Sequence, residues 1–285
     1  MLISAVILSY DSERHLEPCL ESLLEALQGL PERSEVLVVE NGSRDRSADI
    51  LRRYQGLHPD TVKGLFQDRN LGTTASRNLA LRQAAGRYVL ILDSDVVVPA
   101  GALERLLGYL ETHERCGLVA PRLVYPDGRS QLSEDRFPTL WWKLARLVSL
   151  KALERQLPER GADLHPREVD YAVSAFWLLR RELLAEVGLL DERFFYAPED
   201  VDYCLSIWLG GYTVVYEPRV EAVHDAQELS RGRHVNRFTL HHAIGLLRYF
   251  LKHRYLNSRA GLYRRIEKAQ AKRWATSSSA STLET

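Results

Sequence analysis

Residues 87–99, Arg-Tyr-Val-Leu-Ile-Leu-Asp-Ser-Asp-Val-Val-Val-Pro, decide the fold of this chain. The apolar run at residues 88–92 has the length of a β-strand that is buried on both faces. It ends at Asp93, and Asp95 follows two residues later. In an open α/β sheet, the carboxyl ends of parallel strands border the binding crevice. Because residues i and i+2 of an extended chain point to the same side, both carboxylates are predicted to enter one small volume.

Two carboxylates that face each other repel unless a positive charge lies between them. A divalent cation supplies that charge, and Mg²⁺ or Mn²⁺ is commonly shared between carboxylates and the phosphates of a substrate. The simpler interpretation is that Asp95 only begins a turn before the helix predicted at residues 100–110. The motif alone leaves both interpretations open, so the rest of the chain has to decide between them.

Strands and helices alternate along the first part of the chain. Strands are predicted at residues 2–8, 36–39 and 62–66, and each is followed by a helical pattern. This alternation indicates βαβ units, and therefore an α/β fold with a Rossmann-like, mainly parallel central sheet flanked by helices. Four further strands are predicted at residues 119–124, 171–179, 212–216 and 220–223.

The turn after the first strand argues against two common nucleotide-binding classes. Residues 9–14 contain no glycine, so neither the G-x-G-x-x-G fingerprint nor a P-loop is present there. Dinucleotide dehydrogenases and P-loop NTPases need those glycines to bring backbone N–H groups close to phosphate. A cation held by Asp93 and Asp95 is the remaining candidate for phosphate neutralisation.

Cysteine usage and hydropathy bear on the compartment. Cys19, Cys116 and Cys204 are widely spaced and form no C-x-x-C motif, which favours reduced thiols over a disulfide framework or a zinc site. The first residues lack a basic segment before the apolar run, and they are interpreted as a strand. No stretch reaches the roughly eighteen apolar residues of a membrane span. We therefore expect a cytoplasmic protein that can lie on the inner face of the membrane without crossing it.

The net charge is zero, but it is unevenly distributed. Residues 231–275 hold twelve Lys and Arg side chains and one acid, Glu267, which gives +11. The remaining residues hold 26 basic and 37 acidic side chains, which gives −11. We expect a basic helical appendage that contacts anionic lipid or a lipid-diphosphate acceptor, since each basic residue near such a surface contributes about 1 kcal/mol. A packed helix, an oligomer contact and a nucleic-acid surface are the alternatives, although no RNA- or DNA-binding module accompanies the segment.

Other acidic and imidazole side chains come at the ends of separate elements. Glu199 and Asp200 lie in the first turn of a helix predicted to begin at Pro198, and His224 ends a predicted strand. Acids in a first turn favour the helix dipole, and a lone histidine at a strand end is more often structural. A site for a nucleoside diphosphate sugar, however, needs a metal on the diphosphate and a carboxylate that removes a proton from the attacking hydroxyl. Asp95 with His224 and Asp93 nearby could supply the first, and Asp200 the second.

Taken together and in order, these motifs resemble family 2 glycosyltransferases of the GT-A fold, in the branch that includes many bacterial rhamnosyltransferases. The resemblance covers roughly residues 2–225. The matching pieces are Val6-Ile7-Leu8-Ser9-Tyr10, Val38-Val39-Glu40-Asn41-Gly42-Ser43, Asn70-Leu71-Gly72, Leu92-Asp93-Ser94-Asp95, Phe195-Tyr196-Ala197-Pro198-Glu199-Asp200-Val201-Asp202-Tyr203-Cys204 and Val223-His224.

The resemblance implies a role for each motif. Residues in contact with the nucleoside would be Ser9, Tyr10 and Glu40. Residues that line the nucleotide pocket would be Asn70, Gly72 and Arg77, with Arg77 near the base or the diphosphate. Asp93 would lie near the ribose and the metal, and Asp95 would ligate Mn²⁺ or Mg²⁺ with help from His224. Asp200 would be the base of an inverting, single-displacement transfer.

Three residues depart from the family pattern. Asp11 stands where Asn is usual, and Glu40 stands where Asp is usual, so the ribose or base contact at that position changes. Ser174 replaces a glycine before the acceptor region, which could narrow the sugar pocket. None of these changes removes the predicted metal ligands or the base.

The predicted organisation is a GT-A domain at residues 1–225, a helical appendage at 226–275 and a disordered tail at 276–285. The nucleotide-binding half would be about 1–98 and the acceptor half about 99–225. Two surface features are also expected. Residues 137–153 predict an amphipathic helix that either lies on a membrane or packs on the core, and residues 156–168 predict a loop that covers the site.

The sequence thus predicts a metal-dependent inverting glycosyltransferase. Its donor would be a nucleotide diphosphate sugar, with dTDP-rhamnose favoured, and its acceptor a hydroxyl of a cell-envelope glycan or polyprenyl-linked intermediate. A homo-oligomer is compatible with the sequence. A sugar nucleotidyltransferase is the first alternative, but it normally carries a glycine-rich basic loop after the first strand. A non-catalytic glycan-binding protein with a relict GT-A domain is the second.

Overall fold

The computed structural model describes residues 1–140, 164–226 and 237–280. Its central sheet has nine strands in the order β3-β2-β1-β4-β10-β6-β11-β5, with β8 also paired to β11, and β7 and β9 form a separate two-stranded sheet. The strands are β1 (Ile3–Ser9), β2 (Glu35–Asn41), β3 (Val62–Gln67), β4 (Tyr88–Asp93), β5 (Val96–Val97), β6 (Cys116–Val124), β7 (Glu134–Asp135), β8 (Arg167–Glu168), β9 (Tyr171–Ala172), β10 (Phe176–Arg180) and β11 (Thr213–His224).

The predicted α/β class with a mainly parallel sheet is confirmed. Strands β3, β2, β1 and β4 are parallel neighbours, and β11 runs parallel to β6. β10 is inserted antiparallel between β4 and β6. The register of β1 on β4 pairs Leu8 with Asp93, so the loops after these strands meet at one edge of the sheet.

Helices cover both faces of the sheet, which is why β4 is apolar throughout. Leu90 and Leu92 belong to the apolar cluster under α1, α2 and α4, while Val89 and Ile91 belong to the cluster on the opposite face. The helices of the described residues are α1 (Leu16–Gln28), α2 (Ser47–Leu57), α3 (Thr73–Leu81), α4 (Ala102–Thr112), α5 (Glu182–Glu186), α6 (Glu199–Leu209), α7 (Arg237–His253) and α8 (Ala260–Ala280).

Two strand predictions were wrong in their extent. The segment predicted as one strand at residues 171–179 is divided into β9 and β10 by a break at residues 173–175. Conversely, residues 212–216 and 220–223 belong to one strand, β11, whose register on β6 shifts between Glu217 and Glu221. Pro218 lies within that irregularity, and a bulge is one of the places where a strand tolerates proline.

The C-terminal helices pack on the domain. Tyr249 and Phe250 of α7 and Leu262 and Ile266 of α8 are buried in the same apolar cluster as α3 and α6. The Trp274 indole N–H also donates to the Gly211 carbonyl at 2.8 Å. The segment predicted as a basic appendage therefore completes one face of the core.

Three surface predictions fall wholly or partly outside the described residues. Most of the amphipathic helix predicted at 137–153 and of the covering loop predicted at 156–168 lies in the undescribed segment 141–163. α8 continues to Ala280, five residues into the tail predicted to be disordered, and residues 281–285 are not described. Within the described residues, no helix is both long enough and apolar enough to cross a bilayer.

Candidate active site

A cavity of about 360 Å³ lies at the carboxyl ends of the parallel strands. It is open to solvent on one side and is lined by loops from both halves of the domain. Most residues that the sequence singled out meet here. Those that line the cavity are Tyr10, Asn70, Gly72, Arg77, Asp93, Asp95, Asp200 and His224.

Asp93 and Asp95 converge through a turn. β4 ends at Asp93, and Ser94 and Asp95 form the turn that leads into β5. Ser94 is buried beneath this turn, where its hydroxyl lies 2.8 Å from that of Ser12 and shares a hydrogen bond with it. The predicted convergence is therefore present, but the expected reason, an extended chain through both acids, was wrong.

The pairing of β5 with the end of β11 brings His224 to the same place. His224 is the register partner of Val96, and the Asp225 N–H donates to the Asp95 carbonyl at 3.0 Å. The His224 Nε2 atom consequently lies 3.4 Å from Asp95 Oδ1. One ligand atom each from Asp93, Asp95 and His224 falls within 4.8 Å of the others.

These three side chains fit a divalent cation. Ligand atoms of one divalent cation with bonds of about 2.1 Å lie at most about 4.2 Å apart, which is close to the upper limit of 4.8 Å on the separations found here. Carboxylate oxygens suit Mg²⁺ and Mn²⁺, and imidazole is a ligand for first-row metals. Two acids that face each other across a cavity also gain from a positive charge between them.

Gln131 orients the histidine and was not identified from the sequence. Its Oε1 atom accepts a hydrogen bond of 2.6 Å from His224 Nδ1, which leaves Nε2 directed at Asp95. Hydrogen bonding of the distal ring nitrogen is how metal-binding histidines are usually oriented. Gln131 follows a predicted turn in a polar stretch, and its proximity to His224 depends on a contact across 93 residues of chain.

Burial and neighbouring charges shift the pKa values of Asp93 and His224 in opposite directions. Burial raises the pKa of Asp93, although the guanidinium of Arg77 partly offsets the effect. For His224, burial favours the neutral ring, but hydrogen bonding to Asp95 and the nearby negative charge outweigh it and raise the pKa. Both shifts are those expected where negative charge is concentrated in a partly desolvated pocket.

Arg77 lies on the cavity floor, where the two terminal nitrogens of its guanidinium donate hydrogen bonds to other residues of the protein. Its Nη2 atom donates to Asp93 Oδ1 at 2.5 Å, and its Nη1 atom donates to the hydroxyl of Ser174 at 3.0 Å. The residue is only 1% exposed. Arg77 lines the cavity as expected and holds Asp93 and the chain at Ser174, while its position relative to the base or diphosphate stays a prediction.

Ser174 connects Arg77 to the start of α6. Its hydroxyl accepts from Arg77 and donates to Glu199 Oε1 at 3.1 Å. Arg77 Nη1 also lies 3.7 Å from Glu199. Burial and the adjacent Asp200 raise the pKa of Glu199 to about 8, against the opposing effect of Arg77. The serine that was expected to narrow the sugar pocket therefore forms a polar link between the two halves of the site.

The acids at the start of α6 have different surroundings. Both Glu199 and Asp200 line the cavity, but Glu199 is buried and accepts a hydrogen bond from Ser174. Asp202 points away from the cavity and is bound to Lys252 and His253 of α7. The acids of this helical turn therefore have specific hydrogen-bond or ion-pair partners, such as Ser174 for Glu199 and Lys252 for Asp202, in addition to the favourable effect of the helix dipole.

Ser9 and Glu40 do not line the cavity. Ser9 is fully buried, and the carboxylate of Glu40 accepts hydrogen bonds from the backbone N–H groups of Gly42 and Ser43 at 3.3 and 2.8 Å. Their contact with a nucleoside stays a prediction. Asp11, another departure from the family pattern, has a φ of 48° and accepts from the Arg44 N–H at 2.8 Å, so it shapes the neighbouring turn.

Asn41 organises the loop after β3 at the edge of the cavity, and it lies in one of the motifs that carry the family resemblance, where it was assigned no role. Its Oδ1 atom accepts from the Leu71 N–H and the Ser76 hydroxyl, and its Nδ2 atom donates to Asn70 Oδ1 at 3.1 Å. Asn70 Oδ1 also accepts from the Gly72 N–H at 2.8 Å. These bonds hold the loop between β3 and α3 against the end of β2.

Comparisons with known proteins agree with this fold. The model of the family described as glycosyl transferase family 2 matches residues 4–188. The pre-mycofactocin glycosyltransferase of Mycobacterium tuberculosis is 33% identical over 209 residues, which are 72% of this chain but 40% of that protein. The N-acetylglucosaminyl-diphospho-decaprenol L-rhamnosyltransferase of the same organism is 26% identical over 264 residues, 85% of this chain and 81% of that protein.

A solved structure supports the fold independently. The mannosyltransferase PcManGT from Pyrobaculum calidifontis, in complex with GDP-Man and Mn²⁺, matches 94% of this chain and 68% of its own, with a TM-score of 0.63 at 22% identity. The central sheet is accordingly that of a GT-A glycosyltransferase. The chain belongs to glycosyl transferase family 2.

Replacement of Gln131 should weaken metal binding. In Gln131→Leu the acceptor for His224 Nδ1 is lost, and we expect Mn²⁺ affinity to fall about 10- to 100-fold. Calorimetric titration of Mn²⁺ in the presence of dTDP measures the change. Gln83→Leu, on the exposed side of the chain after α3, is the matched control and should bind like the wild type. Equal affinities for all three proteins would contradict the role of Gln131.

Glu199 should make stability depend on pH. Its pKa is about 8 in the folded protein and ordinarily 4.5, so between these values the folded state holds a proton that the unfolded chain has released. Its contribution is therefore fully present below about pH 4.5 and is lost as pH rises through about 8. Urea unfolding from pH 5 to 8 should show the wild type losing up to about 1.4 kcal/mol per pH unit relative to Glu199→Gln. A difference that stays constant with pH would rule this out.

Proposed function

We propose that this protein is a metal-dependent inverting glycosyltransferase that uses a nucleotide diphosphate sugar. The observation that carries the proposal is that Asp93, Asp95, His224 and Asp200, from distant parts of the chain, line one cavity. A solvent-open cavity with acids on two sides can admit a donor and an acceptor together. The nucleotide would enter beside Tyr10, at the end of β1.

Asp93, Asp95 and His224 would hold Mn²⁺ or Mg²⁺. When bound there, such an ion neutralises the diphosphate that leaves with the nucleoside. Gln131 and Arg77 keep the ligands in place from behind the cavity.

Asp200 would act as the base. It would accept the proton of the acceptor hydroxyl as that oxygen attacks the anomeric carbon, and a single displacement of this kind inverts the configuration. Proton transfer to a positioned carboxylate contributes about 10²- to 10⁴-fold to a rate. Glu199, buried beside it and held by Ser174, would keep the start of α6 in register with the donor side.

The favoured donor is dTDP-rhamnose and the favoured acceptor is a hydroxyl of a cell-envelope glycan or a polyprenyl-linked intermediate. Support comes from the relative in Mycobacterium tuberculosis whose name describes rhamnosyl transfer to a diphospho-decaprenol. A thermal-shift survey of nucleotide sugars, with and without Mn²⁺, tests the choice of donor.

Replacement of the proposed metal ligand and of the proposed base should have different effects. Asp95→Ala should lower release of dTDP from dTDP-rhamnose in the presence of Mn²⁺ by about 100-fold or more and should also weaken dTDP–Mn²⁺ binding. Asp200→Asn should lower the same rate by about 10²- to 10⁴-fold and leave binding unchanged, because the amide cannot accept the proton. Calorimetry measures binding, and release of dTDP measures turnover.

Each outcome bears on one assignment. Full turnover by Asp95→Ala would contradict the metal site, and lost dTDP binding by Asp200→Asn would indicate a structural role for that residue. Wild-type protein that binds nucleotide sugars without turning them over would favour a relict binding domain.

We also propose that α7 contacts an anionic membrane surface. Its outward side exposes Ile244, Leu247 and Leu251, which are 39%, 61% and 69% exposed. The exposed Arg254 follows the end of this stripe, and the helix contains no Asp or Glu. An apolar stripe bordered by cations is the pattern of a helix that lies in a membrane interface. Such a surface would bring a lipid-linked acceptor near the cavity.

Polar replacement of the stripe should weaken this contact. The double variant Leu247→Gln and Leu251→Gln removes two side chains that would each contribute about 1.5–3 kcal/mol if fully buried in lipid. Sedimentation with phosphatidylglycerol vesicles should fall by about tenfold or more. Leu57→Gln, at an α2 leucine that is 64% exposed, is the control and should sediment like the wild type. Sedimentation that is unchanged by the double variant would exclude this surface.

A further inference from the structure

The loop that leads into Asp200 is held by one side of α7. Residues 191–202, called here the 191–202 loop, begin five residues after the end of α5 and run into the first turn of α6. Phe195, Tyr196 and Ala197 of this loop line the cavity, and Asp200 follows three residues later. The position of Asp200 therefore depends on what supports this loop.

Four residues of α7 contact the loop, at successive turns. The ring of His241 stacks on Phe195 with centroids 4.6 Å apart, and the guanidinium of Arg248 donates to the Arg193 carbonyl. Gly245 and Lys252 make the other two contacts. Positions 241, 245, 248 and 252 are spaced by four, three and four residues, so they share one side of the helix.

Gly245 permits the close approach of the two backbones. A Cβ at this position would lie 2.3 Å from the Ala197 carbonyl oxygen and 2.9 Å from Cδ of Pro198. Because the nearest obstacle is a backbone atom, a larger side chain would have to push the loop away from α7. The loop would then move at the residues immediately before Glu199 and Asp200.

Lys252 joins the two ends of the loop. Its Nζ atom lies 2.9 Å from Asp191 Oδ2 and 2.7 Å from Asp202 Oδ2. Asp202 is almost completely buried, and His253 Nε2 lies 2.7 Å from its other oxygen. One ammonium thus closes the base of the loop.

α3 holds the loop from the opposite side. The Thr73 N–H donates to the Phe195 carbonyl at 2.7 Å, and the Thr74 hydroxyl donates to the Phe194 carbonyl at 2.6 Å. The loop therefore lies between the helix that begins beside the nucleotide pocket and α7. On the α3 side, Arg82 pairs with Glu192 near one end of the loop, whereas Lys252 of α7 pairs with acids at both ends.

We propose that α7 is a clamp that sets the position of Asp200, with Gly245 and Lys252 as its positioning residues. The proposal rests on the proposed function, in which Asp200 is the base. Lys252 is 28% exposed and Asp202 retains His253, so loss of the lysine should leave the fold intact. What it should alter is the alignment of the base, since a misplacement of about 1 Å can cost about 100-fold in rate.

The test compares two variants of the clamp with two controls. Gly245→Ala and Lys252→Met should each lower the kcat for dTDP release from dTDP-rhamnose by about tenfold or more, with unchanged dTDP–Mn²⁺ affinity. Lys252→Arg should restore most of the rate. Gly108→Ala, at a helical glycine of α4 with no atom within 4 Å of the added Cβ, should leave the rate unchanged. Amide hydrogen exchange of residues 193–200 should accelerate in the two clamp variants alone.

The outcomes separate the clamp from the proposed function. Wild-type turnover by folded Lys252→Met, or equal losses of rate and of dTDP affinity, would overturn the positioning role. Unchanged exchange at residues 193–200 would overturn the clamp itself, whatever reaction the protein performs. If the wild type turns over no nucleotide sugar but amide exchange still accelerates in both clamp variants, α7 does hold the loop and the assignment of Asp200 as the base is overturned.

Discussion

The buried guanidinium of Arg77 is the interaction on which the site depends. A buried charge is costly unless it is paired, and Arg77 is paired with Asp93 at the end of β4 while it lies 3.7 Å from Glu199 at the start of α6. One positive charge cannot neutralise both carboxylates. The pKa of Glu199 is accordingly raised to about 8 by burial and by Asp200. The two halves of the site are thus joined by the ion pair of Arg77 with Asp93 and by the Ser174 hydroxyl, which is hydrogen-bonded to both Arg77 and Glu199.

Sequence reasoning succeeded where local pattern determines structure. The apolar run of β4 and the acids that end it could be placed at a strand terminus because strand polarity and sheet type decide which edge is open. Where contacts span long stretches of chain, local pattern was no guide, and the meeting of Asp95 with His224 was predicted from their chemistry and from the family resemblance. Asp95 meets His224 because β5 pairs with β11, and β11 continues past Pro218 through a bulge, which no local pattern indicates.

The same limit explains why two residues that shape the site received no role from the sequence. Gln131 and Asn41 act through partners that are 93 and about 30 residues away, so neither role has a local signal. Arg77 was expected to line the cavity and does so, but motif position predicts a residue's neighbourhood and not the direction of its side chain. Glu40 illustrates this too, since its longer side chain reaches the backbone of its own turn.

Net charge proved a poor measure of what the C-terminal helices offer to a partner. The segment carries +11 and the rest of the chain −11, which suggested separate partners. Lys252, however, forms ion pairs with Asp191 and Asp202, and Arg273 forms one with Glu186. Part of the positive charge is therefore neutralised by acids of the same domain. Such pairs contribute little to stability when exposed, but a pair that closes a loop orders it. The described lysine and arginine side chains of α7, Arg248 and Lys252, face the 191–202 loop, so the proposed membrane surface depends on the exposed apolar side chains of Leu247 and Leu251.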